Sequence, residues 1–172
     1  MHTLARTIEI LERTPGVLRS LLLGVSDFWT RGNYGDGTWS AAQVVGHLIV
    51  GERDDWLPRL RRILQHGERG PFDPFPHDAT VDSSDTPIAS LLGEFETLRH
   101  ENLRELRALN LSPADLERTG SHPAFGRVTA AQLLATWCVH DLHHLRQISL
   151  AMAWQYRDAV GPWHEYLNTL KR

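Results

Sequence analysis

The sequence predicts an all-α fold, a four-helix bundle with a short additional helix near its C-terminal end. Four long segments carry apolar residues at steps of three and four, which is the period of an amphipathic helix. No segment of useful length alternates apolar and polar residues as a half-buried strand does, and no internal repeat occurs. A chain of 172 residues is large enough for one hydrophobic core, so residues 1–172 are predicted to form a single domain.

The first segment of the chain is consistent with two helices or with one kinked helix. Its apolar residues recur at helical spacing, and Pro15 with Gly16 interrupts them. Thr14 is a suitable cap for a restarted helix with Pro15 at its first position. The stretch TRGNYGDGTWS that follows is rich in glycine and asparagine, which is typical of a loop.

The second helix is predicted to begin after an N-cap at Ser40 and to extend to about Gln65. Pro58 lies well inside this pattern, so the helix should bend or end near Asp54. Residues 67–87 then become rich in proline and indicate a long surface loop. Loops of that length are uncommon in compact domains and often have a function.

Two more long helices complete the predicted bundle. The third extends from Ile88 to about Leu109, and Ser112 caps a short turn of helix after it. The fourth begins at Thr129. The sequence GPW at 161–163 then opens the short terminal helix.

Composition and charge narrow the location and the partners. A net charge of −3, with basic residues spread along the chain, argues against a nucleic-acid partner. The single cysteine, Cys138, cannot form an internal disulfide, which favours a reducing compartment. The start of the chain lacks a signal-peptide pattern, and no apolar stretch is long enough to span a bilayer. We therefore expect a cytoplasmic protein without a membrane partner.

The fourth helix carries the motif that points to chemistry, VHDLHHLRQI. Residues four apart on a helix are about 40° apart around its axis, so His140 and His144 project from one face. Such a pair forms half of a metal site. His143 follows His140 by three residues, so His140 and His143 could also form the pair of metal ligands. The flanking apolar residues Trp137 and Ile148 favour His144 as the inner member.

A catalytic zinc-type site needs three protein ligands and one open position. His47 lies on the inward side of the second helix, where an unsatisfied imidazole would be costly, and a metal shared with His140 and His144 would satisfy it. Nitrogen ligands favour one divalent transition metal, zinc or nickel first, with iron, cobalt or manganese as further options, over magnesium or calcium. The alternative is a set of partly exposed or hydrogen-bonded histidines.

Other residues near this motif have weaker claims. Asp54 falls on nearly the same helical face as His47 and is a candidate general base, although a solvated helix end explains it more simply. Asp141 points away from His140 and is expected to support a neighbouring helix or a subunit contact. Trp137 is expected to line the metal pocket, and Gln147 is a further candidate for that lining. Cys138 is expected to be inert packing.

These motifs resemble those of the DinB-like (YfiT-like) superfamily. The stretches that carry the resemblance are WSAAQVVGHL, HPAFGRVTAAQLLATWCVHDLHHLRQI and, near the start, ILERTPGVLRSLL. The resemblance implies a four-helix bundle of up-down-down-up type and a metal held by His47, His140 and His144. Relatives include enzymes that transfer a low-molecular-weight thiol (bacillithiol, mycothiol or glutathione), others called metal-dependent hydrolases, and many without an assigned reaction.

The expectation is a metal-dependent transferase that joins a small-molecule thiol to a small electrophile, as in detoxification. The first alternative is a metal-dependent hydrolase that activates water. The second is a non-enzymatic protein that binds a metal or a ligand, or that serves as a dimerisation module. Because many bundles of this kind pair through their helices, a homodimer is also expected.

Overall fold

Helices make up most of the chain, as the sequence predicts. The computed structural model describes residues 3–69, 71–76 and 78–171. Its helices, in chain order, are α1 (Leu4–Leu11), α2 (Thr14–Leu22), α3 (Asp27–Arg31), α4 (Ala41–Asp54), α5 (Trp56–His66), α6 (Ile88–Ala108), α7 (Pro113–Leu116) and α8 (Ala130–Trp154). Two short 3-10 helices follow, Gly161–Tyr166 and Asn168–Leu170. None of the helices in the described part of the chain combines the length and the apolar character needed to cross a membrane.

The long helices pack as four columns of a bundle. The first column is α1 followed by α2, and the second is α4 followed by α5, while α6 and α8 form the third and fourth. Helix α4 packs against both α6 and α8, α2 packs against α6, and α1 packs against α8. The four-helix bundle predicted from the sequence is therefore confirmed.

Two of the columns are broken where the sequence predicts a break. The first column divides between Leu11 and Thr14, so the option of two helices is the one that the chain adopts. The second column divides at Asp55, whose backbone angles of −108° and −71° depart from helical values. This break lies three residues before Pro58, because a proline ring collides with the carbonyl group one turn earlier in the helix.

A short β-hairpin is the main element that the sequence analysis does not predict. Strand β1 (Thr119–His122) pairs antiparallel with β2 (Gly126–Thr129), and the pair leads directly into α8. The segment before α6 joins this hairpin, because Phe72 N–H donates a hydrogen bond to Ser121 O at 2.8 Å. The hairpin is too short for a readable alternation, so periodicity does not reveal it.

The apolar core forms two clusters that are separated along the helices by charged side chains. Along α6, Phe95 belongs to one cluster and Leu103 to the other, and the fully buried Arg99 lies between them. Glu52 at the end of α4 and Asp141 in α8 are buried at the same level. We call Glu52, Arg99 and Asp141 the polar layer.

Candidate metal site and cavity

Three imidazole rings from α4 and α8 meet at one point in the bundle. His140 Nε2 lies 3.2 Å from His47 Nε2 and 3.0 Å from His144 Nε2. One ligand atom from each of the three residues lies within 4.8 Å of the other two. His47 and His144 are buried, and His140 is half-buried. The structure thus brings together the three histidines that the sequence analysis selects.

Hydrogen bonds on the far side of two of the rings fix where their protons lie. His47 Nδ1–H donates to the backbone carbonyl of Ala79 at 2.7 Å, since a carbonyl oxygen can only accept. His144 Nδ1–H donates to Gln147 Oε1 at 2.8 Å. In the neutral ring the other nitrogen, Nε2, then carries a lone pair. Both Nε2 lone pairs consequently face His140.

This arrangement fits a metal ion better than it fits hydrogen bonding alone. A single proton on His140 Nε2 can satisfy one of the two facing lone pairs and leaves the other without a donor from the triad. Two nitrogens that bind one Zn²⁺ at about 2.0–2.1 Å lie about 2.9 Å apart at a right angle and about 3.3 Å apart at a tetrahedral angle. The separations of 3.2 and 3.0 Å fall in this range.

The environment keeps two of the rings neutral, as a metal ligand must be. Burial lowers the pKa of His140 from 6.5 to about 2, and the nearby His144 and His47 add to this effect. Burial also lowers the pKa of His144 from 6.5 to about 4, although the hydrogen bond to Gln147 opposes part of the shift. At neutral pH, protons therefore do not compete with a metal for these two rings.

Tryptophan side chains hold the imidazoles in place. The ring of Trp56 packs edge-on against His140 with centroids 4.9 Å apart, and Trp39 lies 4.8 Å from His47 and stacks on His144 at 6.3 Å. His140 Nδ1 is buried and has no hydrogen-bond partner within residues 3–69, 71–76 and 78–171. Packing against Trp56 thus orients His140, whereas hydrogen bonds orient the other two rings.

A cavity of about 540 Å³ opens onto the three histidines. Aromatic rings form much of its wall, namely Trp56, Phe72, Phe75 and Phe125. Its charged members are Asp55 and Arg59, whose Oδ1 and Nε atoms lie 2.7 Å apart in an ion pair. The volume and the largely apolar wall are typical of a small-molecule site.

Residues 79–81 lie directly against α4 and supply the carbonyl that orients His47. Thr80 Oγ1 donates a hydrogen bond to Gln43 O at 3.0 Å, and Val81 N–H approaches Gly46 O at 3.5 Å. A Cβ atom on Gly46 would lie only 2.5 Å from Thr80 Oγ1 and 3.2 Å from Val81 O. The absence of a side chain at Gly46 therefore permits this contact. The loop predicted over 67–87 thus has a structural part in the site.

Several other sequence predictions have different outcomes. Asp54, the candidate base, is exposed at the end of α4 and does not line the cavity, which Asp55 lines instead. Trp137 does not line it either, since its ring is fully buried and Nε1 donates to Glu52 Oε1 at 3.0 Å. Trp56 occupies the position against His140 that was expected for Trp137.

Three further residues of the motif have roles that the structure defines. His143 is exposed at the cavity and packs edge-on against His144, outside the cluster of three ligand atoms. Gln147 does not line the cavity but orients His144. Burial raises the pKa of the Cys138 thiol, which agrees with inert packing rather than a nucleophile.

The polar layer is the part of this region that the sequence analysis misses. Arg99 NH1 and NH2 donate to the two carboxylate oxygens of Asp141 at 2.6 and 2.9 Å, and NH2 also donates to Glu52 Oε1 at 2.8 Å. The expectation that Asp141 supports a neighbouring helix is confirmed. The sequence does indicate that Arg99 faces the core, because Arg99 follows Phe95 by four residues and precedes Leu103 by four.

Comparison with known proteins places the chain in a family. A model of the DinB superfamily matches residues 10–148. A protein of Oceanobacillus iheyensis named "putative metal-dependent hydrolase" is 26% identical over 144 residues, which cover 83% of this chain and 81% of that protein. A protein of Bacillus mycoides with the same name is 26% identical over 145 residues, again 83% of this chain and 81% of that protein.

Two solved structures share the fold. YfiT from Bacillus subtilis, described as a probable metal-dependent hydrolase with an unusual four-helix bundle topology, superposes with a TM-score of 0.74 at 22% identity. That alignment covers 91% of this chain and 87% of YfiT. TT2238, described as a four-helix bundle protein, gives a TM-score of 0.55 at 21% identity and covers 86% of this chain and 98% of its own.

Replacing Gly46 should disturb both the loop contact and the orientation of His47. We expect Gly46→Ala to lower the free energy of unfolding by about 1–3 kcal/mol, because the new methyl group overlaps Thr80 and Val81. We expect zinc affinity to fall roughly tenfold or more, because the Ala79 carbonyl moves away from His47. Urea unfolding and competition with a chelator measure the two effects.

Gly93→Ala in α6 is the matched control, because a Cβ atom there meets nothing within 4 Å. It should leave zinc affinity unchanged and raise helix stability by up to about 1 kcal/mol. Wild-type zinc affinity in Gly46→Ala would show that the loop carbonyl does not orient His47.

The metal-free protein should lose stability as the pH falls below 6.5. Between pH 6.5 and about 4 the unfolded chain binds protons that folded His140 and His144 do not bind, because their folded pKa values lie near 2 and 4. The free energy of unfolding therefore decreases on acidification, on the order of 2 kcal/mol per histidine at pH 5.0. Urea unfolding of chelator-treated protein at pH 7.5 and 5.0 measures the loss.

The variants His140→Leu and His100→Leu separate this effect from general acid sensitivity. His100 is exposed on α6, so its replacement should leave the loss between the two pH values unchanged. His140→Leu should reduce it. An equal loss in all three proteins would contradict the assignment to the buried histidines.

Proposed function

The chain belongs to the DinB superfamily, and we propose that it is a metal-dependent enzyme that transfers a low-molecular-weight thiol to a small electrophile. The observation that carries the proposal is the convergence of the His47, His140 and His144 Nε2 atoms at the cavity. The His47 and His144 lone pairs face that point, and the cavity beside it holds about 540 Å³. Three nitrogen ligands leave a coordination position for a reactant.

The three histidines would hold one divalent transition metal. Neutral nitrogen donors favour zinc or nickel, with iron, cobalt or manganese as further candidates, over magnesium and calcium, which prefer oxygen. When bound, such a cation would favour the ionised and nucleophilic form of a thiol at neutral pH. The protein would keep the His140 and His144 imidazoles neutral through their lowered pKa values, and it would fix the orientation of the three rings through Ala79, Gln147 and Trp56.

In the proposed reaction the thiol sulfur forms a bond to an electrophilic carbon of the second reactant. The leaving group departs with the electrons of the broken bond, and the thiol proton passes to solvent. Trp56, Phe72, Phe75 and Phe125 provide an apolar wall suited to the electrophile. By excluding water from the reactants, this wall would also limit competing hydrolysis.

Hydrolysis by activated water is the second candidate, and the names of the two sequence relatives favour it. It would use a carboxylate near the metal as general base. Among the described residues of the cavity wall, Asp55 alone carries a carboxyl group. Its Oδ1 lies 2.7 Å from Arg59 Nε in an ion pair, which would have to open for Asp55 to act as a base. For this reason we place thiol transfer first.

The metal site itself has a direct test. The chelator-treated protein should bind one equivalent of zinc or nickel, and His144→Ala should bind it more weakly by over a hundredfold. Loss of a ligand should exceed the roughly 10- to 100-fold effect of losing a partner of a ligand. Isothermal titration calorimetry and elemental analysis measure affinity and stoichiometry.

His100→Ala removes an exposed histidine on α6 and is the matched control, with unchanged affinity expected. If the wild type holds no stoichiometric metal and takes up neither zinc nor nickel, the proposed site does not exist.

Thiol transfer is tested with the metal-loaded protein and a chromogenic electrophile. We expect conjugate formation with at least one of bacillithiol, mycothiol and glutathione, and its loss in His47→Ala because the metal is no longer held. The same preparations are assayed with ester and amide substrates without thiol. Metal-dependent hydrolysis without thiol turnover would replace the first candidate by the second, and absence of both reactions would indicate a binding protein.

A further inference from the structure

The polar layer connects the four columns of the bundle through one buried side chain, that of Arg99. Arg99 on α6 contacts Asp141 on α8 through two hydrogen bonds and Glu52 on α4 through a third. Its NH1 also donates to Leu11 O at the end of α1, at 2.9 Å. Asn102, one turn further along α6, donates to Glu52 O and Oε2 at 2.8 and 2.9 Å. Every column of the bundle thus meets this layer.

The layer lies close in sequence to the proposed ligands on both helices that carry them. On α8, Asp141 directly follows His140 and precedes His144 by three residues. On α4, Glu52 follows His47 by five residues. A shift of α4 along α8 would consequently displace the histidines and the layer together.

The geometry of Arg99 permits little of this shift. A guanidinium group is planar, and its N–H donors point in fixed directions, so it bonds to two carboxylates only at particular positions and angles. The aliphatic side chains of the two core clusters tolerate alternative packings with a similar total volume. A metal site tolerates far less, since ligand distances must stay within about 0.2 Å of their ideal values.

We propose that Arg99 is a positioning residue for the metal site: by binding Asp141 and Glu52 at once, it sets α4 against α8 so that His47 meets His140 and His144. This inference rests on the metal site proposed above. The polar layer would thus fix the register of α4 against α8 in addition to any effect on stability. Arg99 contributes no ligand atom and lies outside the cavity wall.

The cost of burying charges distinguishes a role of the polar layer in helix register from a role in stability. Removing a charged trio from water is costly, and replacing a buried ion-pair network with apolar groups is often neutral or stabilising. Arg99, Asp141 and Glu52 are 0%, 0% and 2% exposed, so that cost applies in full. If the layer served stability alone, an apolar core would serve as well, but it would not fix the register.

The test replaces the whole layer and measures folding and metal binding separately. In Glu52→Gln/Arg99→Met/Asp141→Val no buried charge of the trio remains, and the amide oxygen introduced at position 52 can still accept the hydrogen bond from Trp137 Nε1. We expect a folded protein with helical content and a melting temperature close to those of the wild type. We expect its affinity for cobalt(II) or zinc to fall at least tenfold, in the range found when a partner of a metal ligand is lost.

The absorption spectrum of bound cobalt(II) gives a signature that a structural role alone would not change. A change in band position and intensity in the triple variant would report altered coordination. Arg99→Lys provides a milder variant that keeps the charge but not the fork of donors, so it should also weaken metal binding. Arg53→Met removes an exposed ion pair between α4 and α6, with Glu94, and should leave affinity and spectrum unchanged.

Each outcome decides between the alternatives. If the triple variant unfolds, Arg99→Lys carries the decision through its affinity and its cobalt spectrum. If folded variants bind cobalt as tightly as the wild type and with the same spectrum, the inference fails while the metal site stands. If the wild type itself binds no metal, the proposed site fails, and with it the positioning role.

Discussion

A guanidinium group with no exposed surface lies near the middle of this bundle, and the surrounding helices are arranged to satisfy it. Burial opposes the charge of Arg99, but the carboxylates of Asp141 and Glu52 outweigh that cost and raise its pKa. The need of this guanidinium for hydrogen-bond acceptors constrains several helices at once, because the acceptors come from α1, α4 and α8. The core therefore divides into two apolar clusters with a level of fixed geometry between them.

Two different sets of contacts then place the imidazoles within this arrangement of helices. The polar layer sets the helices that carry them, and local contacts set the rings. The Ala79 carbonyl and Gln147 Oε1 accept hydrogen bonds from Nδ1–H of His47 and His144, so that both Nε2 lone pairs point inward. The contact with Ala79 depends on the missing side chain at Gly46, which links a loop more than thirty residues away to the tautomer of one histidine. Helix register and ring orientation are thus controlled separately.

The spacing of apolar residues along the sequence predicts which residues share a face of one helix. The four helical segments, the break before Pro58 and the shared face of His140 and His144 follow from local spacing. Asp54 is exposed at the end of α4, which agrees with the simpler interpretation of a solvated helix end, whereas Asp55, at the break between α4 and α5, lines the cavity. Trp137 turns toward Glu52 of another column. The hairpin and the loop beside Gly46 depend on contacts between distant segments, which no local pattern contains.

The charges around the proposed metal bear on the choice of nucleophile. His140 and His144 are neutral at physiological pH because of their lowered pKa values, and His47 through its Nδ1–H would likewise contribute a neutral nitrogen. The polar layer carries two carboxylates and one guanidinium, a net charge of −1. A divalent cation and the polar layer together would carry a net charge of +1. The charges of Asp55 and Arg59 in the cavity wall cancel each other. The remaining positive charge would face a cavity whose wall is largely apolar, where it would be less screened than in bulk water. With a metal bound, such a site would attract an anion, either a thiolate or hydroxide, and in the proposed reaction the apolar wall would select the second reactant.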